Sequence, residues 1–150
     1  MNPDFRDMLA AFSAEAVEYL LVGAHALAVH GHPRATRDLD LWVGTAGENP
    51  RRVWRALERF GAPMQELTIA DLQRSDLIFQ IGVAPQRIDI LTGIDGVDFG
   101  TAFPARLEAD LDGLRVPVIS RAHLIQNKRA AGRAQDLADV KALQAHGEPG

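Results

Sequence analysis

Residues 38–43 read Asp-Leu-Asp-Leu-Trp-Val and alternate between carboxylate and apolar side chains with period two at their start. Residues i and i+2 of a strand face the same way, so Leu39 and Leu41 enter a core while Asp38 and Asp40 share the opposite face. Aspartate is depleted in strands, which makes this pair unusual. The segment therefore predicts a half-buried strand whose second face carries two carboxylates.

The remaining periodicities predict a layered α+β fold. Helical spacing or helix boundaries are found at residues 4–16, 24–30, 50–60, 121–131 and 134–145. Strand-like runs are found at residues 17–22, 38–43, 77–83, 87–91 and 114–119. The short link between 77–83 and 87–91 favours an antiparallel pair. We expect a small mixed, mostly antiparallel sheet of about five strands, with helices mainly on one face.

Length and composition exclude several classes of protein. A chain of 150 residues that is 47% apolar predicts one globular domain, residues 1–150. The absence of cysteine excludes disulfides, a cysteine nucleophile and thiolate metal sites. The net charge of −4 argues against coating nucleic acid. No basic leader opens the chain and no apolar run is long enough for a bilayer, so we expect a cytoplasmic protein without membrane contact.

A third carboxylate lies on the predicted strand 87–91, Arg-Ile-Asp-Ile-Leu, where Asp89 faces away from Ile88 and Ile90. If this strand neighbours 38–43, then Asp38, Asp40 and Asp89 converge, which is costly unless cations neutralise them. Two Mg²⁺ ions, or Mn²⁺ in their place, are suited to such oxygen ligands and to phosphoryl or nucleotidyl transfer. The alternative is an amphipathic strand whose outer face happens to carry aspartate.

A strand-to-helix turn precedes these carboxylates at Gly23-Ala24-His25. Glycine allows close approach of a ligand, and helix-terminal amides favour phosphate. The turn matches neither the phosphate-binding Gly-Lys-Ser/Thr loop nor the dinucleotide fingerprint, and an ordinary tight turn is the alternative. Three histidines, His25, His30 and His32, match no zinc-site spacing.

This combination resembles the DNA polymerase beta-like nucleotidyltransferase superfamily. A small pair at a strand–helix turn, a spacer of 13 residues and Asp-apolar-Asp-apolar are similar to its core motif. Residues 21–41 look most like the AbiEii-type branch, and the resemblance extends to Asp89 and to residues 118–139. It departs at Ala24, where the family prefers a second glycine or a serine. A dehalogenase-type phosphatase is rejected, since Leu41-Trp42 follow the second aspartate.

The resemblance implies a metal-dependent enzyme that moves a nucleoside monophosphate from a nucleoside triphosphate to a hydroxyl. Asp38, Asp40 and Asp89 are the expected catalytic residues and metal ligands. The expected nucleotide-binding residues are Gly23, Ala24, His25, Arg34, Thr36, Arg37 and Lys128. A solvated polar loop is the alternative for residues 34–37, and an exposed lysine is the alternative for Lys128.

Acceptor and partners are left open by the sequence. The acceptor classes are an RNA end such as that of tRNA, a protein side chain and a small molecule. AbiEii-like relatives act as toxins of toxin–antitoxin pairs, which implies an antitoxin partner, and a core this small leaves room for a homodimer to complete the acceptor cleft. The alternative function is a nucleotidyltransferase fold that has lost its chemistry and serves as a nucleotide-sensing or protein-binding module.

Overall fold

A computed structural model describes residues 1–33, 38–83 and 86–145 of the chain. Its strands are β1 (Tyr19–Val22), β2 (Leu39–Val43), β3 (Ile78–Ile81), β4 (Ile88–Leu91), β5 (Leu107–Leu111) and β6 (Leu114–Val118). Its α-helices are α1 (Pro3–Ala14), α2 (Gly23–Val29), α3 (Asn49–Phe60), α4 (Ile69–Leu72), α5 (Phe99–Ala102), α6 (Arg121–Ala131) and α7 (Ala134–Ala145). A 3₁₀ turn, Phe103–Ala105, follows α5.

The six strands form one sheet in the order β3-β4-β2-β1-β6-β5. The pairs β1–β2, β3–β4 and β5–β6 are antiparallel, while β1–β6 and β2–β4 are parallel. This confirms the predicted α+β class, the mostly antiparallel sheet and the antiparallel link between β3 and β4.

The core takes side chains from both faces of the central strands, including the face opposite the aspartates. Leu21 lies opposite Leu41 on the neighbouring strand, and Leu41 lies beside Ile90 on the next one, so the three share a face. All three are fully buried, together with Met8 and Phe12 of α1. Burial of such side chains contributes about 1.5–3 kcal/mol each. The core is therefore anchored on the strands that carry the aspartates on their other face.

Strand β5 and the four-residue helices α4 and α5 are additions to the predicted elements. Strand β5 joins β6 through Asp112-Gly113, whose φ angles of 56° and 81° are those of a two-residue hairpin turn. Helix α4 begins with a capping box between Thr68 and Asp71, and Asp98 caps α5. Within the described ranges, every helix is too short or too polar to cross a membrane.

Candidate active site

The three predicted carboxylates meet on the sheet face opposite Leu41 and Ile90. Strands β2 and β4 run side by side in parallel, and Asp40 is paired in register with Asp89, so both side chains leave the same face. Asp38 lies one residue before β2, and its Oδ1 accepts a hydrogen bond of 2.8 Å from the backbone N–H of Arg87. The condition set by the sequence, that the two strands be neighbours, is met.

Arg87 supplies the positive charge inside this cluster. Its Nε donates to Asp89 Oδ1 at 2.7 Å, and its second nitrogen, Nη2, lies 3.2 Å from both Asp89 Oδ2 and Asp38 Oδ2. The contacts on Asp89 are the two-pronged arrangement that a guanidinium makes best. The sequence interpretation gave Arg87 no role, although an arginine two residues before Asp89 on a strand must share its face.

Asp40 is the carboxylate whose charge Arg87 stabilises least. Burial first, and then the neighbouring carboxylates of Asp89 and Asp38, raise its pKa to about 7, and Arg87 offsets this only in part. Among the described residues, one guanidinium serves three carboxylates, so this part of the cluster carries more negative than positive charge. An added cation would favour the ionised form of Asp40.

Gly23 touches the same carboxylate from the neighbouring strand–helix turn. It begins α2 with a φ of 70°, and a Cβ at this position would collide with Oδ2 of Asp40. Glycine is therefore required here by conformation and by space. Ala24 follows it in α2 and is half-buried, so the departure from the family motif does not disturb the turn.

A cleft of about 380 Å³ opens in front of Gly23 and Asp40. The sheet side of the cleft also includes Ile78 and Leu91, and its opposite wall is formed by α6, α7 and the loop after β4. The residues of that wall are Gly93, Ile94, Asp95, Asn127, Lys128, Ala131, Arg133 and Asp136. The loop is fastened to α6 because the side-chain amides of Gln126 and Asn127 donate to Gly96 O and Asp95 O.

Lys128 lies in the wall of this cleft, within a buried ionic cluster. Its Nζ is 2.9 Å from Asp139 Oδ2 and 3.6 Å from Asp136 Oδ1, and Asp136 also pairs with Arg133. Lys128 is 9% exposed, which overturns the alternative of a surface lysine. Arg133 Nε donates to Asp136 Oδ2 at 2.6 Å, and Asp136 is 3% exposed and thus part of the interior rather than of the helix surface.

Of the predicted nucleotide ligands that the structure describes, His25 does not line this cleft. His25 packs edge-to-face on Phe5, with ring centroids 5.5 Å apart, and lines a separate cleft beside α1. Arg34, Thr36 and Arg37 lie outside the described residues. His30 Nε2 is 2.8 Å from the carbonyl oxygen of Ile119, which gives this histidine a structural contact between α2 and the end of β6.

The donor set is suited to Mg²⁺ or Mn²⁺, since both take carboxylate oxygens. In the part of the chain that the structure describes, however, no three acidic or histidine side chains are arranged as a metal-binding group. The guanidinium of Arg87 lies among the carboxylate oxygens instead. The residues therefore fit a hard cation by their donor chemistry, and in this structure the guanidinium of Arg87 contacts the oxygens of Asp38 and Asp89.

No protein-family model and no curated protein matches the chain. Among solved structures, TM1012 of Thermotoga maritima, a candidate nucleotidyltransferase, has a TM-score of 0.63 at 15% identity, covering 97% of this chain and 96% of that one. The antibiotic-resistance factor ANT(2'')-Ia gives 0.63 at 14%, covering 97% and 83%. The lincosamide antibiotic adenylyltransferase LnuA, bound to lincomycin, gives 0.58 at 18%, covering 97% of each chain. At these identities the likeness shows a shared fold.

Proposed function

We propose that the protein is a metal-dependent nucleotidyltransferase, which moves a nucleoside monophosphate from a nucleoside triphosphate to a hydroxyl and releases pyrophosphate. One observation carries the proposal: Asp40 and Asp89 stand in register on adjacent parallel strands, beside Asp38 and at the edge of a cleft. Three carboxylates crowded on one face cost stability without a cation, so the arrangement is explained best by ion binding.

Asp38 and Asp40 would hold the divalent ions that bind the triphosphate, and Asp89 would complete the second position. Mg²⁺, or Mn²⁺ in its place, supplies neutralisation of the phosphates and activation of the attacking hydroxyl when it is bound. Asp89 would act as the base toward that hydroxyl. Gly23 keeps the approach to Asp40 open, because any side chain at this turn would occupy the space of the carboxylate.

The nucleotide would lie in the cleft between the aspartates and helices α6 and α7. Lys128 and Arg133 bring positive charge to the wall of this cleft. Both belong to residues 118–139, the C-terminal segment that resembles the AbiEii-type branch. Arg34, Thr36 and Arg37 remain proposed ligands on the strength of the motif alone. ATP is the nucleotide to try first, since the fold is shared with LnuA, described as an adenylyltransferase.

The acceptor is a hydroxyl-bearing RNA end, protein or small molecule. The small-molecule class has support from fold neighbours described as an antibiotic adenylyltransferase and an antibiotic-resistance factor. The AbiEii-type assignment, with a toxin role and an antitoxin partner, has support from the motif spacing in residues 21–41. A cytoplasmic setting is proposed from the sequence, in which no apolar run is long enough for a bilayer. A homodimer that completes the acceptor site is part of the same proposal.

The test is a screen of the four nucleoside triphosphates with Mg²⁺, with and without bulk tRNA or small hydroxylated acceptors, while pyrophosphate is measured. The wild type should release pyrophosphate, whereas Asp38→Asn and Asp89→Asn should not. Glu108→Gln is the matched control. Glu108 also accepts a hydrogen bond from an arginine two residues earlier, Arg106, but it lies on β5, at the edge of the sheet away from β2 and β4. Full activity of Asp38→Asn would disprove the proposal.

The second candidate, a nucleotide-sensing or protein-binding module without catalysis, is favoured by Ala24 and by the guanidinium of Arg87 among the carboxylates. Calorimetry separates the two. An enzyme should bind a non-hydrolysable nucleotide only with Mg²⁺ or Mn²⁺ present, and a module that lacks metal affinity should show the same nucleotide affinity with EDTA.

A further inference from the structure

Arg87 engages the same oxygens that a divalent cation would need. Of the four side-chain oxygens of Asp38 and Asp89, three lie 2.7–3.2 Å from its guanidinium nitrogens, and the fourth, Asp38 Oδ1, accepts from its backbone N–H at 2.8 Å. Hydrogen bonds between ionised groups are about twice as strong as neutral ones. The two carboxylates are therefore held by an internal cation.

A guanidinium and a metal ion use these oxygens in incompatible ways. Mg²⁺ requires oxygen ligands at about 2.0–2.1 Å in near-octahedral directions, closer than the guanidinium holds them. An arginine nitrogen within hydrogen-bond distance of the same oxygens repels the incoming ion and occupies its approach. The Arg87 side chain is 28% exposed, so it has room to leave toward solvent.

We propose that Arg87 competes with the divalent ion for Asp38 and Asp89, so that metal binding requires the guanidinium to be displaced. This rests on the proposed function in so far as that function needs the ion at these aspartates. Arg87 then keeps the three carboxylates together in the metal-free protein and weakens its affinity for the bare ion. It acts through the ligands and is a positioning residue.

A purely structural role for Arg87 predicts the opposite change in metal affinity when the arginine is removed. If Arg87 serves only to hold Asp38 and Asp89 in place for the ion, its removal weakens metal binding. If it competes, its removal strengthens metal binding and leaves the metal-free protein less stable, because Asp38 and Asp89 then lack the guanidinium that pairs with them. Metal affinity and metal-dependent stability separate the two roles without any measurement of turnover.

The experiment is Mn²⁺ binding to the full chain, measured by electron paramagnetic resonance of free Mn²⁺, for the wild type, Arg87→Gln, Arg87→Lys and Arg106→Gln. Arg106 is the matched control, since its Nε lies 3.0 Å from Glu108 two residues on, at the other end of the sheet. We expect Arg87→Gln to bind Mn²⁺ about tenfold more tightly, Arg87→Lys to lie between, and Arg106→Gln to match the wild type.

Thermal melting with and without Mn²⁺ guards against a variant that fails to fold. Arg87→Gln should melt lower than the wild type without metal and gain more from Mn²⁺, since a ligand stabilises in proportion to its affinity. Competition would be overturned if Arg87→Gln bound Mn²⁺ no more tightly than the wild type, or if Arg106→Gln gained as much Mn²⁺ affinity as Arg87→Gln. It would also be overturned if neither the wild type nor Arg87→Gln bound Mn²⁺. Tighter binding without transfer of any nucleotide would uphold the competition and disprove the proposed function.

Discussion

Two ionic clusters face each other across the cleft, and they differ in balance. On the sheet, and within residues 38–83 and 86–145, Asp38, Asp40 and Asp89 share one cation, Arg87. On the helices, Asp136 and Asp139 are matched by Lys128 and Arg133. Burial, and then the neighbouring carboxylates, raise the pKa of Asp40, whereas the hydrogen bond from Arg133 lowers the pKa of Asp136. As far as the described residues show, the sheet cluster carries excess negative charge, and the helix cluster joins α6 to α7.

The largest effect expected from this difference is at Asp40. Asp40→Asn should lower nucleotidyl transfer by about a thousandfold, a loss typical of removing a group that stabilises developing charge. It should also stabilise the metal-free protein by roughly 1 kcal/mol, because one of three crowded charges disappears. Pyrophosphate release and denaturant unfolding measure the two changes. An Asp40→Asn protein that keeps its activity, or one that unfolds more easily, would contradict an unbalanced cluster.

Lys128 tests the other side of the comparison. Lys128→Met leaves Asp139 buried without its closest cation, and breaking one partner of a buried pair costs about 3–5 kcal/mol. Lys141→Met is the control, since Lys141 is exposed on α7 and its replacement should change the free energy of unfolding by less than about 0.5 kcal/mol. Equal effects from the two variants in urea unfolding would show that the helix cluster does not join α6 to α7.

Gly23 connects the fold to the sheet cluster. Gly23→Ala combines the strain of a φ of 70° with a collision against Asp40, while Gly61→Ala has a φ of 89° but, in the described part of the chain, nothing within 4 Å of its Cβ. Left-handed alanine costs about 1–2 kcal/mol. In denaturant unfolding, we expect Gly23→Ala to lower the free energy of unfolding by roughly 1–2 kcal/mol more than Gly61→Ala does. In the double variant Gly23→Ala/Asp40→Gly this excess should disappear, and its persistence would show that the collision is elsewhere.

The sheet cluster was readable from the sequence and the helix cluster was not, for a physical reason. Alternation fixes which face a strand residue occupies, so Asp38, Asp40 and Asp89 needed only one further fact, that β2 and β4 are neighbours. The same rule could have placed Arg87. Lys128 meets its carboxylates only after the chain turns at Gly132, so its burial depends on the packing of α6 against α7. Periodicity on one helix carries no such information.

The helices and strands also differ in how well hydrophobic patterning predicts them. Strand β2 is buried along almost its whole length, and its sequence pattern predicts it. Strand β5 is a half-exposed edge strand that its pattern does not predict, although the turn residues Asp112-Gly113 follow it. Helix α4 spans four residues, too few for a helical period, although its capping box of Thr68 and Asp71 was present in the sequence. Local chemistry marks such elements where hydrophobic patterning does not.

The smallest expected effect is the acid response of the helix cluster. Arg133 first, and then Lys128, lower the pKa of Asp136 below its usual range. A carboxyl whose pKa is lower folded than unfolded stabilises the fold above the unfolded pKa, and that contribution is lost as the pH falls through the folded pKa. The melting temperature should therefore drop below about pH 4 more steeply in the wild type than in Asp136→Asn. The comparison of slopes cancels other carboxyls, among them Glu15, whose pKa Arg59 also lowers. Parallel slopes would mean that Asp136 carries no charge-dependent stability, and the contrast between a balanced helix cluster and an unbalanced sheet cluster would then fail on the helix side.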